Sequence, residues 1–356
     1  MNHWRDNVRT MVPYVPGEQP QEGGIIKLNT NENPYPPAPG VAEAIRNMDA
    51  DRLRLYPDPS STALKRALAD RYGVGEDQIF IGVGSDDVLS MSFLTFFNSK
   101  KPILFPDITY SFYDVWADLY RIPYLVRPLT GDFRLRREDY YIVNGGIVFP
   151  NPNAPTGLCE GLDLIEDILA HNPDVVVIVD EAYIDFAGRG KSAAVLIPKY
   201  ENLLVVQTFS KSRSLAGMRI GFAMGSPALI AALNDVRNSF NSYTMSRAAQ
   251  EIGTASVLDE TYFQETAAKV IRTREQAKKD LAELGFVFPD SSSNFIFASH
   301  PRVPAKVLFQ ELKQRHIYVR YFDKPRINHY LRITIGTDEQ MAALKKALAE
   351  IIAEQA

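Results

Sequence analysis

Runs of apolar residues that do not alternate with polar ones constrain this chain most. "PILFP", "IPYLVRP", "GGIVFP", "DVVVIVD", "NLLVVQT" and "RIGFAMG" recur through its middle, each short and nearly continuous. A strand with one wet face alternates apolar and polar side chains, whereas a continuous run marks a strand covered on both faces. Helical stretches such as "GLDLIEDILAHN" lie between several of the runs. Strands separated by helices join in parallel, because a parallel connection has to cross back over the sheet. The expected architecture is therefore α/β, with a large domain over residues 55–245 whose mostly parallel sheet is flanked by helices. Beyond it, the helical patterns "ETAAKVIRTREQAKKDLAEL" and "EQMAALKKALAEII" mix with strand candidates "SNFIFAS", "HIYVRYF" and "LRITIGT", which predicts a smaller α+β domain over 246–356. Residues 1–54 contain "PYVPGEQPQEGG" and "NENPYPPAPG", whose Pro, Gly and Asn content predicts an extended arm and part of the small domain.

Two domains also suit a length of 356 residues, at about 100–200 residues per domain. Acidic side chains exceed basic ones, 43 to 39, for a net charge of -4. Such a balance offers no basic field to hold a polyanion, so nucleic acid is not an expected partner. The single cysteine, Cys159, excludes an internal disulfide, and the five histidines show no metal-ligand spacing, so no metal is expected. The opening "MNHWRDNVRTMVPYV" lacks the apolar core of a signal peptide, and no apolar run approaches the ~18 residues of a membrane span. The expected location is the cytoplasm, with no membrane contact.

In an open parallel sheet, ligands bind beyond the carboxyl ends of the strands. "QIFIGVG" is followed there by Gly84, Ser85 and Asp86 at a helix start, where backbone N–H groups favour an anion. "DVVVIVD" ends on Asp180 with Tyr183 three residues on, "NLLVVQTF" leads into Ser210 and Lys211, and "GGIVFP" runs into "NPNAPTG" with Asn153. Singly, each has a plain structural reading: a turn and N-cap, a helix cap, a rim aromatic, a solvated lysine. Together they match one chemistry. A desolvated lysine attacks carbonyl carbon, an aspartate keeps a pyridine nitrogen protonated, a tyrosine bonds a phenolic oxygen, and a helix N-terminus takes a phosphate. Those are the requirements of pyridoxal 5'-phosphate. Arg219 is the candidate cation that lowers the lysine's pKa.

The pieces "VDEAYIDF" and "SKSRSLAGMRIG" resemble the cofactor motifs of the fold type I, class I/II pyridoxal-phosphate-dependent aminotransferases. The resemblance runs almost end to end. It is closest to the histidinol-phosphate branch of that family, through "KLNTNENPYPPAP", "YPDP", "GVGSDD", "TYSFY", "NPNAPTG" and "LRITIGT". It implies a transaminase that moves an amino group between glutamate/2-oxoglutarate and histidinol phosphate in histidine biosynthesis. Lys211 would carry the cofactor and move the substrate proton, Asp180 would pair with the ring nitrogen, Tyr183 would meet the 3'-oxygen and Tyr110 would stack on the ring. Gly84, Ser85, Asp86, Ser210 and Arg219 would hold the phosphate, Asp86 through its backbone N–H. Arg320 and Arg332 would bind substrate anions, a guanidinium suiting carboxylate and phosphate alike. Tyr14 would lie over the substrate, and Tyr56 would reach the partner's cofactor phosphate in a homodimer with shared active sites. Two positions depart from the pattern: Ala154 stands where the family carries asparagine, with Asn153 as the substitute, and Arg213 replaces an aromatic, which predicts a changed substrate pocket.

Other readings remain: an aromatic amino acid aminotransferase or a threonine-phosphate decarboxylase on the same fold, or a ligand-sensing module. "GVGSDD" also carries Gly82 and Gly84 of a dinucleotide fingerprint, with Asp87 in place of its third glycine.

Overall fold

A computed structural model describes residues 3–20 and 23–355. Residues 1, 2, 21 and 22 of the stretch read as an arm, and residue 356, lie outside the described residues. The strands are β1 (Ile26–Lys27), β2 (Ile79–Gly82), β3 (Ile103–Pro106), β4 (Tyr124–Arg127), β5 (Ile147–Pro150), β6 (Val177–Asp180), β7 (Leu203–Thr208), β8 (Gly221–Gly225), β9 (Phe295–Ala298), β10 (Ile317–Tyr318), β11 (Arg320–Tyr321) and β12 (Leu331–Thr334). The α-helices are α1 (Pro39–Arg46), α2 (Thr62–Tyr72), α3 (Ser85–Phe96), α4 (Tyr113–Tyr120), α5 (Leu162–His171), α6 (Pro227–Phe240), α7 (Arg247–Leu258), α8 (Glu260–Glu283), α9 (Ala305–Gln314) and α10 (Asp338–Glu354).

Seven strands form the central sheet in the order β2-β8-β7-β6-β5-β3-β4. β8 runs against both its neighbours, and the remaining pairings are parallel. β5, β6, β7 and β8 are buried along their whole length, as unalternating runs require. "IPYLVRP" differs: β4 is the edge strand, and Leu125 and Val126 stay exposed because no further strand covers them. "HIYVRYF" also differs from one continuous strand. It splits into β10, parallel to β1, and β11, antiparallel to β12 in the sheet β11-β12-β9.

Several separate apolar clusters fill the interior. One joins β5, β6, β7 and β8 to α2, α5 and α7 through Phe149, Val179, Val205, Leu68, Ile168 and Ile252. Another packs α8, α9 and α10 on β9 and β12, and takes in Leu28, Ala154 and Tyr183 at the carboxyl edge of the large sheet. Residues 8–20 have no regular structure and drape over this edge: the Tyr14 ring stacks on Phe112 with centroids 4.2 Å apart, and Lys313 pairs with Glu18 at 2.6 Å. No helix among the described residues is long and apolar enough to cross a membrane.

Candidate active site

The carboxyl ends of β2, β6 and β7 open into one pocket, closed over by the turn after Leu28. β6 delivers Asp180, only 4% exposed, at its last position. Its Oδ2 accepts from the Tyr113 hydroxyl at 3.0 Å and its Oδ1 from the Ala182 N–H at 3.2 Å. Burial pushes this carboxyl up to about 6, and the Tyr113 and Ala182 hydrogen bonds oppose the rise. Three residues on, in the turn before the short 3-10 helix Ile184–Phe186, Tyr183 lines the same pocket, and its hydroxyl accepts from Asn31 Nδ2 at 3.0 Å.

Lys211 follows β7 by three residues and donates from Nζ to the Thr30 carbonyl at 3.0 Å. Burial brings its ammonium down from 10.5 to about 8; Arg332 adds the larger cationic push and Arg219 a smaller one, while Glu32 and Asp86 oppose it. The sequence reading named Arg219 as the depressing neighbour. The structure gives Arg332 the greater part, because Arg219 is already paired, its Nη2 lying 3.3 Å from Asp86 Oδ2.

An anion cradle lies at the start of α3. Gly84 has φ +86 and lies so close to Arg219 that a Cβ there would meet Nη2 at 2.5 Å. Gly221, on β8, leaves room for the helix start: its Cβ would sit 2.3 Å from the Gly84 carbonyl carbon and 2.4 Å from the Ser85 nitrogen. Two missing side chains thus bring Arg219, Ser85 and the first-turn N–H groups of α3 together, and those N–H groups have no partner within the helix. Ser210 joins them, its Oγ accepting from Arg219 Nη1 at 3.4 Å. The Asp86 carboxylate pairs with Arg219 beside the cradle and accepts from the Tyr110 hydroxyl at 2.7 Å. Burial and this carboxylate hold the Tyr110 phenol well above its ordinary range. Asp87 explains why "GVGSDD" is no dinucleotide turn: its Oδ2 accepts from the Val83 N–H at 2.8 Å and occupies the space beside Gly82.

Arg332 faces Arg320 in the β11-β12 register. Its Nη2 donates to the Asn29 carbonyl at 2.9 Å, and its buried Nε has no partner among the described residues. Burial lowers this guanidinium, and Arg320 lowers it further, while Tyr183, Tyr14 and Tyr110 favour its charge. Gly17 of the arm crosses within 3.4 Å of Arg320 Nη1, measured from an ideal Cβ.

Asn153, Tyr56 and Arg213 do not line this pocket, and neither do Gly84, Tyr14, Arg320 or Arg332. Asn153 is buried behind it, its Nδ2 donating to the Ile108 carbonyl at 3.1 Å and to Thr156 Oγ1 at 3.0 Å, while Ala154 lines the wall. Tyr56 is 78% exposed and packs on Tyr243 with ring centroids 4.6 Å apart. Arg213 departs from the expected change in the substrate pocket. It is buried over Phe263 at 4.2 Å and donates to the Ser256 carbonyl at 2.7 Å, so its charge is spent within the packing of α7 and α8. Conversely, sequence reasoning assigned nothing to Thr30, Asn31, Glu32 or Tyr113, which touch or line the site. The one signal, for the first three, was the polar run "NTNEN" between Leu28 and a proline.

The model of the family "Aminotransferase class I and II" matches residues 23–348. A histidinol-phosphate aminotransferase of Lactococcus lactis subsp. cremoris is 52% identical over 349 residues, 98% of each chain. Histidinol-phosphate aminotransferase 1 of Hydrogenovibrio crunogenus is 52% identical over 353 residues, 99% of each. Among solved structures, histidinol-phosphate aminotransferase from Sinorhizobium meliloti in complex with pyridoxal-5'-phosphate superposes with a TM-score of 0.86 at 26% identity, covering 93% of this chain and 92% of that one. With its parallel sheet, its lysine at the end of β7 and its carboxylate at the end of β6, the chain belongs to the class I and II aminotransferases.

Proposed function

We propose that this transaminase moves an amino group between glutamate/2-oxoglutarate and histidinol phosphate, as a cytoplasmic homodimer whose second copy completes each site with Tyr56. The observation that carries the reading is Arg332: a buried guanidinium with an unpartnered Nε, beside Arg320, whose charge bears directly on Lys211. A planar guanidinium binds a carboxylate or a phosphate ester in the same bidentate manner, so one arginine serves both half-reactions. Close relatives named for histidinol phosphate support the substrate.

The residues present fit pyridoxal phosphate. The glycine cradle of Gly84 and Gly221 would hold its phosphate with Ser85, Asp86 N–H, Ser210 and Arg219; Asp180 would hold the ring nitrogen, Tyr183 the phenolic oxygen, and Tyr110 the ring face. When bound, the cofactor supplies a carbonyl carbon that condenses with amines and a ring that accepts the electron pair left at the substrate's α-carbon. Everything else falls to the protein. Lys211, with its amine near 8, is partly unprotonated at neutral pH and can take a proton from the α-carbon and return it. Asp180, buried and already bonded to Tyr113, holds a proton at the ring nitrogen. Arg332 orients the substrate anion, and Gly17 of the arm lies beside Arg320 and Thr30.

The test compares kcat/KM for histidinol phosphate with that for phenylalanine and tyrosine, and assays carbon dioxide release from threonine phosphate. Preference for histidinol phosphate without carbon dioxide release is expected. Preference for the aromatic acids, or decarboxylation, would replace the substrate while keeping the family.

A further inference from the structure

We propose that Asn31 is a positioning residue that fixes the Tyr183 hydroxyl as a hydrogen-bond donor into the pocket. Asn31 is 1% exposed and has φ 57, a left-handed conformation that asparagine tolerates better than most side chains. Its backbone N–H donates to Thr334 Oγ1 at 3.0 Å, and the Thr334 hydroxyl donates to Asn31 Oδ1 at 2.9 Å. That exchange decides which way the amide faces. Turned over, it would set two N–H donors on Thr334 Oγ1 and strand the buried hydroxyl proton. The amide nitrogen therefore faces Tyr183, 3.0 Å away, and an NH2 group can only donate. Tyr183 Oη is thus committed as an acceptor, and its own proton is left to point at a ligand of the pocket it lines.

The turn that carries Asn31 is pinned to the rest of the site. The Thr30 carbonyl takes Lys211 Nζ, the Asn29 carbonyl takes Arg332 Nη2 at 2.9 Å, and Asn33 Nδ2 donates to the Ser212 carbonyl at 3.1 Å. The Asn31 carbonyl accepts from Asn294 Nδ2 at 3.0 Å. One turn thereby sets the tyrosine's proton in the same frame as the lysine and the substrate arginine.

The inference rests on the reading that Tyr183 meets the phenolic oxygen of pyridoxal phosphate. Equilibrium dialysis of cofactor-free protein measures affinity for pyridoxal phosphate and for its 3-deoxy analogue, which lacks that oxygen. Asn31→Asp keeps the left-handed backbone and the acceptor for Thr334, but replaces the donor with an acceptor that captures the tyrosine's proton. The expected result is about 10- to 100-fold weaker binding of pyridoxal phosphate, the span of a hydrogen bond to a charged group, with binding of the analogue unchanged. Thr334→Val, which lets the amide turn over, is expected to lose part of the same affinity, and Thr334→Ser to retain it; this pair carries the test should Asn31→Asp fail to fold. Equal losses for both probes would mean a purely structural role and overturn the proposal. So would full affinity in Asn31→Asp and Thr334→Val alongside weakened Tyr183→Phe. If Tyr183→Phe binds both probes like wild type, the underlying reading of Tyr183 fails, and the proposal with it.

Discussion

Lys211→Met is expected to make the cofactor-free protein more stable near neutral pH while abolishing turnover. The ammonium of Lys211 is brought from 10.5 down to about 8 by burial and by Arg332. Its folded-state pKa is depressed, so this group's contribution to stability is most favourable above 10.5 and is lost as pH falls toward 8. At about 1.36 kcal/mol per pH unit, the difference amounts to about 3 kcal/mol, fully expressed below about pH 7 and shrinking to under about 1 kcal/mol at pH 10. Methionine keeps the length and removes the charge. Against the gain stands the Nζ bond to the Thr30 carbonyl, whose loss costs about 1 kcal/mol. A net gain of about 2 kcal/mol is expected at neutral pH, and none at pH 10. Urea unfolding of both cofactor-free proteins at the two pH values reads it directly. A variant less stable than wild type at both, or a difference that does not change with pH, would refute the burial of an unfavourable charge at this position.

Gly221→Ala drives a Cβ into the Gly84 and Ser85 backbone; overpacking of this kind costs about 1–3 kcal/mol, and the displaced start of α3 should weaken pyridoxal phosphate binding, measured by dialysis. Arg213→Met should leave the ratio of kcat/KM between amino donors the same, because the guanidinium serves the Ser256 carbonyl and the Phe263 ring and does not line the pocket. Tyr56→Phe should weaken pyridoxal phosphate binding about 3- to 10-fold, the worth of one hydrogen bond, although Tyr56 lies outside its own chain's pocket. Mixed dimers of Tyr56→Phe with Lys211→Ala, which place the two defects in the same site or in different ones, separate a shared site from a structural role.

Much of the large sheet was legible because burial on both faces leaves a plain mark: "DVVVIVD" and "NLLVVQT" contain hardly a polar residue until the strands end, and the ends are where Asp180 and Lys211 stand. The pattern failed where burial is one-sided or brief. β4 reads like its neighbours yet lies at an edge, and β10 and β11 are two residues each, too short for any period to declare itself. Site residues at strand ends could be found by position. Asn31 and Tyr113 could not, since each acts by hydrogen-bonding a residue 152 and 67 positions away, respectively. Arg213 was misplaced for a related reason: its spacing from Lys211 puts it near the cofactor loop in sequence, but its partners, the Ser256 carbonyl and the Phe263 ring, come from α7 and α8, far along the chain.

The most direct test of the account is the visible absorption of the cofactor-loaded protein on addition of histidinol phosphate and, separately, of glutamate. The arrangement of Lys211, Asp180 and Arg332 predicts a yellow protein that each donor bleaches alone. A spectrum left unchanged by histidinol phosphate but bleached by phenylalanine or tyrosine would contradict the shared arginine site.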